Sequence, residues 1–187
     1  KKVDGKFLPV INPAMLAFKP EAKKTWEASV ESIHAYIAGE VEDVIIDESV
    51  AFGIQDTEKA NEFIQAAIDH ECGYIALDSE TTGLYPRDGY MLGISLSYDG
   101  KCGAYIDTDC FDSETERLLQ ELFDKKIVVF HNAKFDMAFF EYHFHFKFPR
   151  FEDTMLLHYL IDENPGGHGL KQLTMKFTPY GDYEKPM

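Results

Sequence analysis

The stretch Ile75-Ala-Leu-Asp78-Ser-Glu80-Thr-Thr-Gly-Leu84 constrains this chain more than any other. From Gly73 to Ser79 the residues are mostly small or apolar, the pattern of a strand buried on both faces. That strand delivers Asp78 and Glu80 at i and i+2, so both carboxylates point the same way, about 7 Å apart along the backbone. Two like charges at the end of a buried strand are costly unless a cation neutralises them. Oxygen ligands alone suit a hard divalent ion such as Mg²⁺ or Mn²⁺. Thr81, Thr82 and Gly83 then turn the chain and leave the acids at the sheet edge, facing solvent. A strand ending in a solvated acidic turn would show the same residues, so a second cluster has to decide.

The remaining elements predict a mixed α/β sheet flanked by helices. Residues 1–20 carry Pro9, Pro13 and Pro20 and suggest an extended lead-in. Trp26, Val30, Ile33 and Ile37 form one helical stripe that Gly39 ends. Residues 40–54 suggest a connector with room for a short strand at Val44-Ile45-Ile46. Asp56-Thr57 predicts the cap of a helix with Ala60, Phe63, Ile64, Ala67 and Ile68 inward. Tyr90–Tyr98 and Lys101–Asp107 are expected strands joined by an Asp99-Gly100 turn. Ser113-Glu-Thr-Glu116 reads as a capping box opening a helix with Leu118, Leu119, Leu122 and Phe123 buried. Ile127–Phe130 is a short apolar strand. These elements divide the chain into an N-terminal extension, 1–55, with one helix, and a main domain, 56–187.

Composition narrows the class. At 187 residues the chain holds one domain or one domain with an appendage, and its net charge of −15 excludes a broad basic surface for nucleic acid. A nuclease remains open, because metals would supply local positive charge. Cys72, Cys102 and Cys110 form no CxxC pair and read as small buried hydrophobes, which fits a reducing cytoplasm. No apolar run suits a membrane span, so the expectation is a soluble, non-secreted chain with no membrane partner.

The second cluster is His131-Asn132-Ala-Lys134-Phe135-Asp136, directly after the Ile127–Phe130 strand. A helix starting near Ala133 stacks Asn132 and Asp136 on one face and turns Phe135, Phe139 and Tyr142 toward the core. Acids placed after a buried strand sit where α/β sheets build sites. The alternative is a helix with Asn132 as N-cap and Asp136 solvated.

Together, D-x-E-T-T-G-L and N-x-K-F-D resemble the first two motifs of DnaQ-like 3′–5′ exonucleases of the ribonuclease H-like superfamily. The resemblance covers about residues 70–175, and Asn132-x-x-Phe135-Asp136 is similar to the proofreading domains of family A (Pol I-type) DNA polymerases. Asp153-Thr-Met-Leu-Leu-His-Tyr and His168-Gly-Leu-Lys-Gln-Leu fit the same branch. Phe18-Lys-Pro-Glu, Arg87-Asp-Gly-Tyr-Met-Leu-Gly and Gly181-Asp-Tyr are similar to replicative polymerases of large tailed bacteriophages.

The resemblance implies a ribonuclease H-like fold and a catalytic, metal-holding set of Asp78, Glu80 and Asp136 around two divalent ions (Mg²⁺ or Mn²⁺). It implies that Asn132 bonds near the substrate phosphate or sugar, that Leu84 wedges against the terminal base, and that Thr81 lies close to the 3′ nucleotide. The implied partners are a single-stranded 3′ primer end and the rest of a polymerase chain in an infected bacterium's cytoplasm; a processivity factor is left undefined. The family's third motif, Tyr-x-x-x-Asp or His-x-x-x-x-Asp on a late helix, is missing at the expected distance. His158-Tyr159-Leu-Ile-Asp162 is a lookalike with the wrong spacing, and Asp153 reads as a helix N-cap. The expectation is therefore a chain truncated before that motif, and weak or inactive by itself. Two rivals stand beside this reading: a ribonuclease D-like exoribonuclease and a non-catalytic binding module on the same fold.

Overall fold

The fold is taken from a computed structural model that describes residues 51–178, apart from Pro165, and scattered positions between 23 and 38. The chain divides into two compact units, 1–45 and 46–187. In the first, Lys23, Trp26, Glu27, Val30, Glu31, His34 and Ile37 are helical, as the apolar stripe requires. Ile33, Gly39, the lead-in prolines and Val44-Ile45-Ile46 lie outside the described residues. The second unit begins ahead of the expected boundary at 55/56. The reason is strand β1 (Ala51–Ile54), which pairs parallel with β4 (Gly103–Asp107) and so belongs to the sheet.

Six strands form that sheet in the order β1-β4-β3-β2-β5-β6, with β2 Tyr74–Thr81, β3 Met91–Ser97, β5 Ile127–Phe130 and β6 Phe151–Asp153. The run β2-β3-β4 is an antiparallel meander, while β1, β5 and β6 add parallel pairs on either side. The turn between β3 and β4 closes as expected. Gly100 takes the left-handed φ of 70°, and the Asp99 carboxylate accepts from the N–H groups of Lys101 (2.8 Å) and Cys102 (2.7 Å).

Helices α1 (Thr57–Asp69), α2 (Ser113–Lys125) and α3 (Ala133–Phe144) share one core with the sheet. Asp56 caps α1 through its carboxylate, as the sequence predicts, with Ala60, Ile64, Ala67 and Ile68 buried. Helix α2 departs from the capping-box expectation: Asp112 is its cap and accepts from Glu114 and Thr115 N–H, so Ser113 is already helical. A carboxylate accepts two orphan N–H groups where a hydroxyl offers a weaker acceptor. Phe123, Phe130, Phe139 and Phe140 are each fully enclosed, and Phe123 lies 4.8 Å from Phe148 ring to ring. Each such ring contributes on the order of 2–3 kcal/mol through burial.

Burial corrects the opening expectation about β2. Ile75, Leu77 and Ser79 are buried, whereas Tyr74, Ala76, Asp78 and Glu80 are exposed. The strand is therefore buried on one face only, because the shared core lies on the side of Leu77 and Ser79. Tyr142 is a second correction: it is half exposed, and Phe140 takes the core position, since residues three and four apart share a face but a twelve-residue helix also drifts around its axis. Among the cysteines only Cys110 is fully buried; Cys72 and Cys102 are intermediate. No described helix is long and apolar enough to cross a membrane.

Candidate active site

The cross-strand register puts Asp78 opposite Ser95 and Glu80 opposite Gly93, so both acids share one face of the sheet with Ala76, Ser97 and Tyr105. This face is hollow because its side chains are small. Ala76, Ser95, Ser97, Tyr105, Val129 and His131 contribute to a cavity of about 670 Å³ with Asp78 in its wall. Pairing between β2 and β3 shifts register between Glu80 and Thr81, an irregularity of the kind that re-aims side chains beside sites.

Asp136 reaches the same strand from helix α3. Its Oδ1 accepts from both the N–H (3.0 Å) and the hydroxyl (2.6 Å) of Ser79, the residue between the two strand acids. Asp136 is only 2% exposed, which removes the solvated alternative. Burial pushes its carboxyl up to about 6; the nearby Asp78 charge adds to that, and the Ser79 hydrogen bonds oppose it. Burial also pushes the Asp78 carboxyl up, against the pull of His131 and the Ser79 N–H. Asp78 is exposed as a whole residue, yet its carboxyl end is desolvated enough to shift. Two carboxyls that disfavour their own charges, one because of the other, make a place where a cation is stabilising.

The donor set thus fits a hard divalent ion, all oxygen and held in part by buried structure. Among the described residues no group of three or more His, Cys, Asp or Glu side chains is gathered tightly enough to hold an ion. Asp78 and Asp136 are brought together, and Glu80 shares the face of Asp78 without closing a three-ligand cluster.

The remaining expected residues surround this pair. Asn132 adopts a left-handed φ of 68° just before α3, and its amide makes no capping bond. Asp153 holds that corner instead: it accepts from the N–H groups of Asn132 (3.0 Å), Ala133 (2.9 Å) and Met155 (2.9 Å). One carboxylate therefore serves the N-termini of both α3 and α4 (Thr154–Ile161). Its capping of α4 matches the sequence reading; its hold on α3 needs the tertiary fold. Thr81 is half-buried and donates its hydroxyl to Gly83 O at 2.9 Å. Leu84 stands 76% exposed in the loop after β2. Asp162 ends α4 and accepts from Asn164, while His158 is buried against His168, with the two Nδ1 atoms 2.8 Å apart. That lookalike is occupied with local bonds.

Three residues beside the acids had no site role assigned from the sequence. Ser79 looked like a spacer because its side chain leaves the face of the acids. His131 is the second. The Thr154 hydroxyl donates to Phe130 O (3.1 Å), so His131 Nδ1 donates to Thr154 Oγ1 (2.9 Å), and Nε2 is a buried lone pair without a partner among the described residues. Tyr105 is the third. Its ring lies where a side chain on Gly93 would be, only 2.3 Å from the position of an added Cβ, and its phenol is pushed up by burial and by Asp107 and Glu80. A glycine inside a strand was the signal available for it.

Residues 52–185 match the DNA polymerase A exonuclease family described as 3′–5′ exonuclease. The chain is 44% identical over 182 residues, 93% of its length, to the DNA polymerase of Escherichia phage T5, and spans 21% of that polymerase. Its fold is similar to Escherichia coli RNase D, an exoribonuclease involved in structured RNA processing (19% identity, TM-score 0.57, 67% of this chain and 32% of that one). It is also similar to Brucella melitensis NrnC with bound Mg²⁺ (18% identity, TM-score 0.52, 68% of this chain and 59% of that one). The mixed sheet with flanking helices is thus the expected ribonuclease H-like fold, and the chain belongs to the 3′–5′ exonuclease family of family A DNA polymerases.

Proposed function

We propose that residues 46–187 form the proofreading exonuclease domain of a phage DNA polymerase, hydrolysing the 3′-terminal phosphodiester of single-stranded DNA. The observation that carries this reading is the meeting of Asp78 and Asp136 across Ser79, two carboxyls raised by burial beside the exposed Glu80. Asp78, Glu80 and Asp136 would hold two divalent ions, Mg²⁺ or Mn²⁺. When bound, such ions favour ionisation of the attacking water and stabilise charge on the departing 3′ oxygen.

The chain's own residues do the positioning. Ser79 fixes one oxygen of Asp136 and leaves the other for the site. The free Asn132 amide, held at the corner by Asp153, is placed to bond the phosphate or sugar of the last nucleotide. Leu84 offers an exposed apolar edge to the terminal base, and Thr81 supports its loop through Gly83. In the reaction water adds to phosphorus, the bond from phosphorus to the 3′ oxygen breaks, that oxygen takes up a proton, and a deoxynucleoside monophosphate leaves.

The test is Mn²⁺-dependent digestion of a 3′-labelled single strand by this chain, beside a longer polypeptide continuing into the polymerase. Release of labelled mononucleotide that Asp78→Ala abolishes supports the proposal. Faster digestion of an RNA strand of the same sequence would move the assignment to an exoribonuclease. Absence of cleavage by both polypeptides would leave a binding module.

A further inference from the structure

The loop between β2 and β3 is drawn tight at its neck. Thr82 N–H donates to Tyr90 O (3.0 Å), Tyr90 N–H donates back to the Thr82 hydroxyl (2.9 Å), and Asp88 N–H closes a turn onto Tyr85 O (3.0 Å). Gly89 is packed into this neck: a Cβ there would come within 3.0 Å of Thr82 Oγ1 and 3.1 Å of Gly83 N. The loop is therefore ordered in advance, and its tip lies against helix α3, the two forming one groove. Tyr85, Pro86, Arg87 and Asp88 from the loop and Ala138 and Tyr142 from α3 line a hollow of about 460 Å³.

Its chemistry is unlike the rest of the surface. Tyr85 and Tyr142 are 67% and 51% exposed, large rings left to solvent, whereas six phenylalanines are buried among the described residues. Arg87 makes no ion pair or hydrogen bond among the described residues, although the chain carries a net charge of −15. An unpaired guanidinium beside exposed aromatic rings suits an anion that carries flat bases. Single-stranded nucleic acid is that ligand, since any base offers a face for stacking and each linkage a phosphate for arginine. Asp88 argues against a site for phosphate alone and suits base edges, which carry hydrogen-bond donors. Position completes the argument: Tyr85 follows exposed Leu84, and Ala138 and Tyr142 continue the helix that supplies Asp136.

We propose that this groove is a stacking subsite for the nucleotides that precede the terminal one, gripping the single strand while its 3′ end lies at Asp78 and Asp136. It rests on the exonuclease reading and adds a second point of hold, which sets how many unpaired nucleotides the domain needs for tight binding.

The test is binding of fluorescent oligothymidylates, from a dinucleotide upward, to the 187-residue chain in EDTA, where nothing is cleaved. Affinity of the native chain should climb as nucleotides are added. Tyr85→Ala and Tyr142→Ala should each cut binding of the longer strands by about 5- to 150-fold and leave the dinucleotide unchanged. Tyr142→Phe should keep most of the affinity, because the ring does the stacking. Arg87→Gln should reduce the slope of log affinity against log salt by about 0.7, one phosphate contact on a single strand. Native affinity for all lengths in the tyrosine variants overturns the subsite, and the exonuclease proposal survives that result if 3′-labelled DNA is still digested. Loss of thermal stability with no change in binding also overturns it and points to a surface covered by the rest of a polymerase chain. A native chain that neither binds nor digests DNA would sink both proposals.

Discussion

The two faces of the sheet are built from the same strands and do opposite work. Leu77, Ser79, Ile94, Leu96, Ile106 and Val128 turn into the helix-covered core. Their immediate neighbours Ala76, Asp78, Glu80, Gly93, Ser95 and Tyr105 line the other face, with its hollow and its acids. The two-residue period of a strand makes this division possible, since one step along β2 passes from the core to the acid-bearing face. Asp136 is the link between them, because it comes from the core side and is held by Ser79. Rigid packing on one face thereby fixes a carboxylate close to Asp78 on the other.

Adjacent substitutions on β2 should separate the faces most sharply. Asp78→Ala is expected to lower exonuclease rate by about 10³-fold or more, the loss of several kcal/mol of charge stabilisation, with little change in the urea midpoint. Leu77→Ala should cost about 2–5 kcal/mol in the same unfolding experiment. Equal destabilisation by both would show that the faces are not independent.

Asp153 is the next largest test, because it serves two helix N-termini. Asp153→Ala leaves three N–H groups without their acceptor and should cost about 2 kcal/mol, measured by denaturant unfolding. Hydrogen exchange should quicken at the starts of α3 and α4 together; exchange confined to α4 would count against the shared cap.

Asp136→Asn should act in the other direction. An unfolded aspartate titrates near 3.9, and the folded one is pushed up to about 6. A group whose folded value is the higher contributes stability below about pH 4, and that contribution is lost as pH rises through about 6. The metal-free chain should therefore lose stability across that window. The asparagine variant should lack this slope and be more stable by about 1–3 kcal/mol at pH 8. Identical pH profiles for both proteins would mean that Asp136 is not held against its charge.

The smallest effect should come from β3. Gly93→Ala meets only the tip of the Tyr105 ring, which can swing aside, so less than about 1 kcal/mol is expected. Ile94→Ala, one residue along and fully buried, should cost about 2–5 kcal/mol. A large penalty at Gly93 would show that the Tyr105 ring is locked in place by the site.

Much of this arrangement was legible in the chain itself. Period-two placement of Asp78 and Glu80, the Asp56 cap, the Asp99-Gly100 turn and the helical stripes are local properties, decided by residues a few positions apart. The paired motifs likewise carry the family without any coordinates. Which face of β2 is covered was not legible, because Ala76 and Ser95 suit a buried face and an open one equally. The 57-residue reach from Ser79 to Asp136 was not legible either, nor was the grip of Asp153 on two helices or the Tyr105 ring over Gly93. Short-range sterics and periodicity set the elements, and those are written in order along the chain. Hydrogen bonds and desolvation between distant residues set the charges of the acids, and these exist only once packing has brought them together.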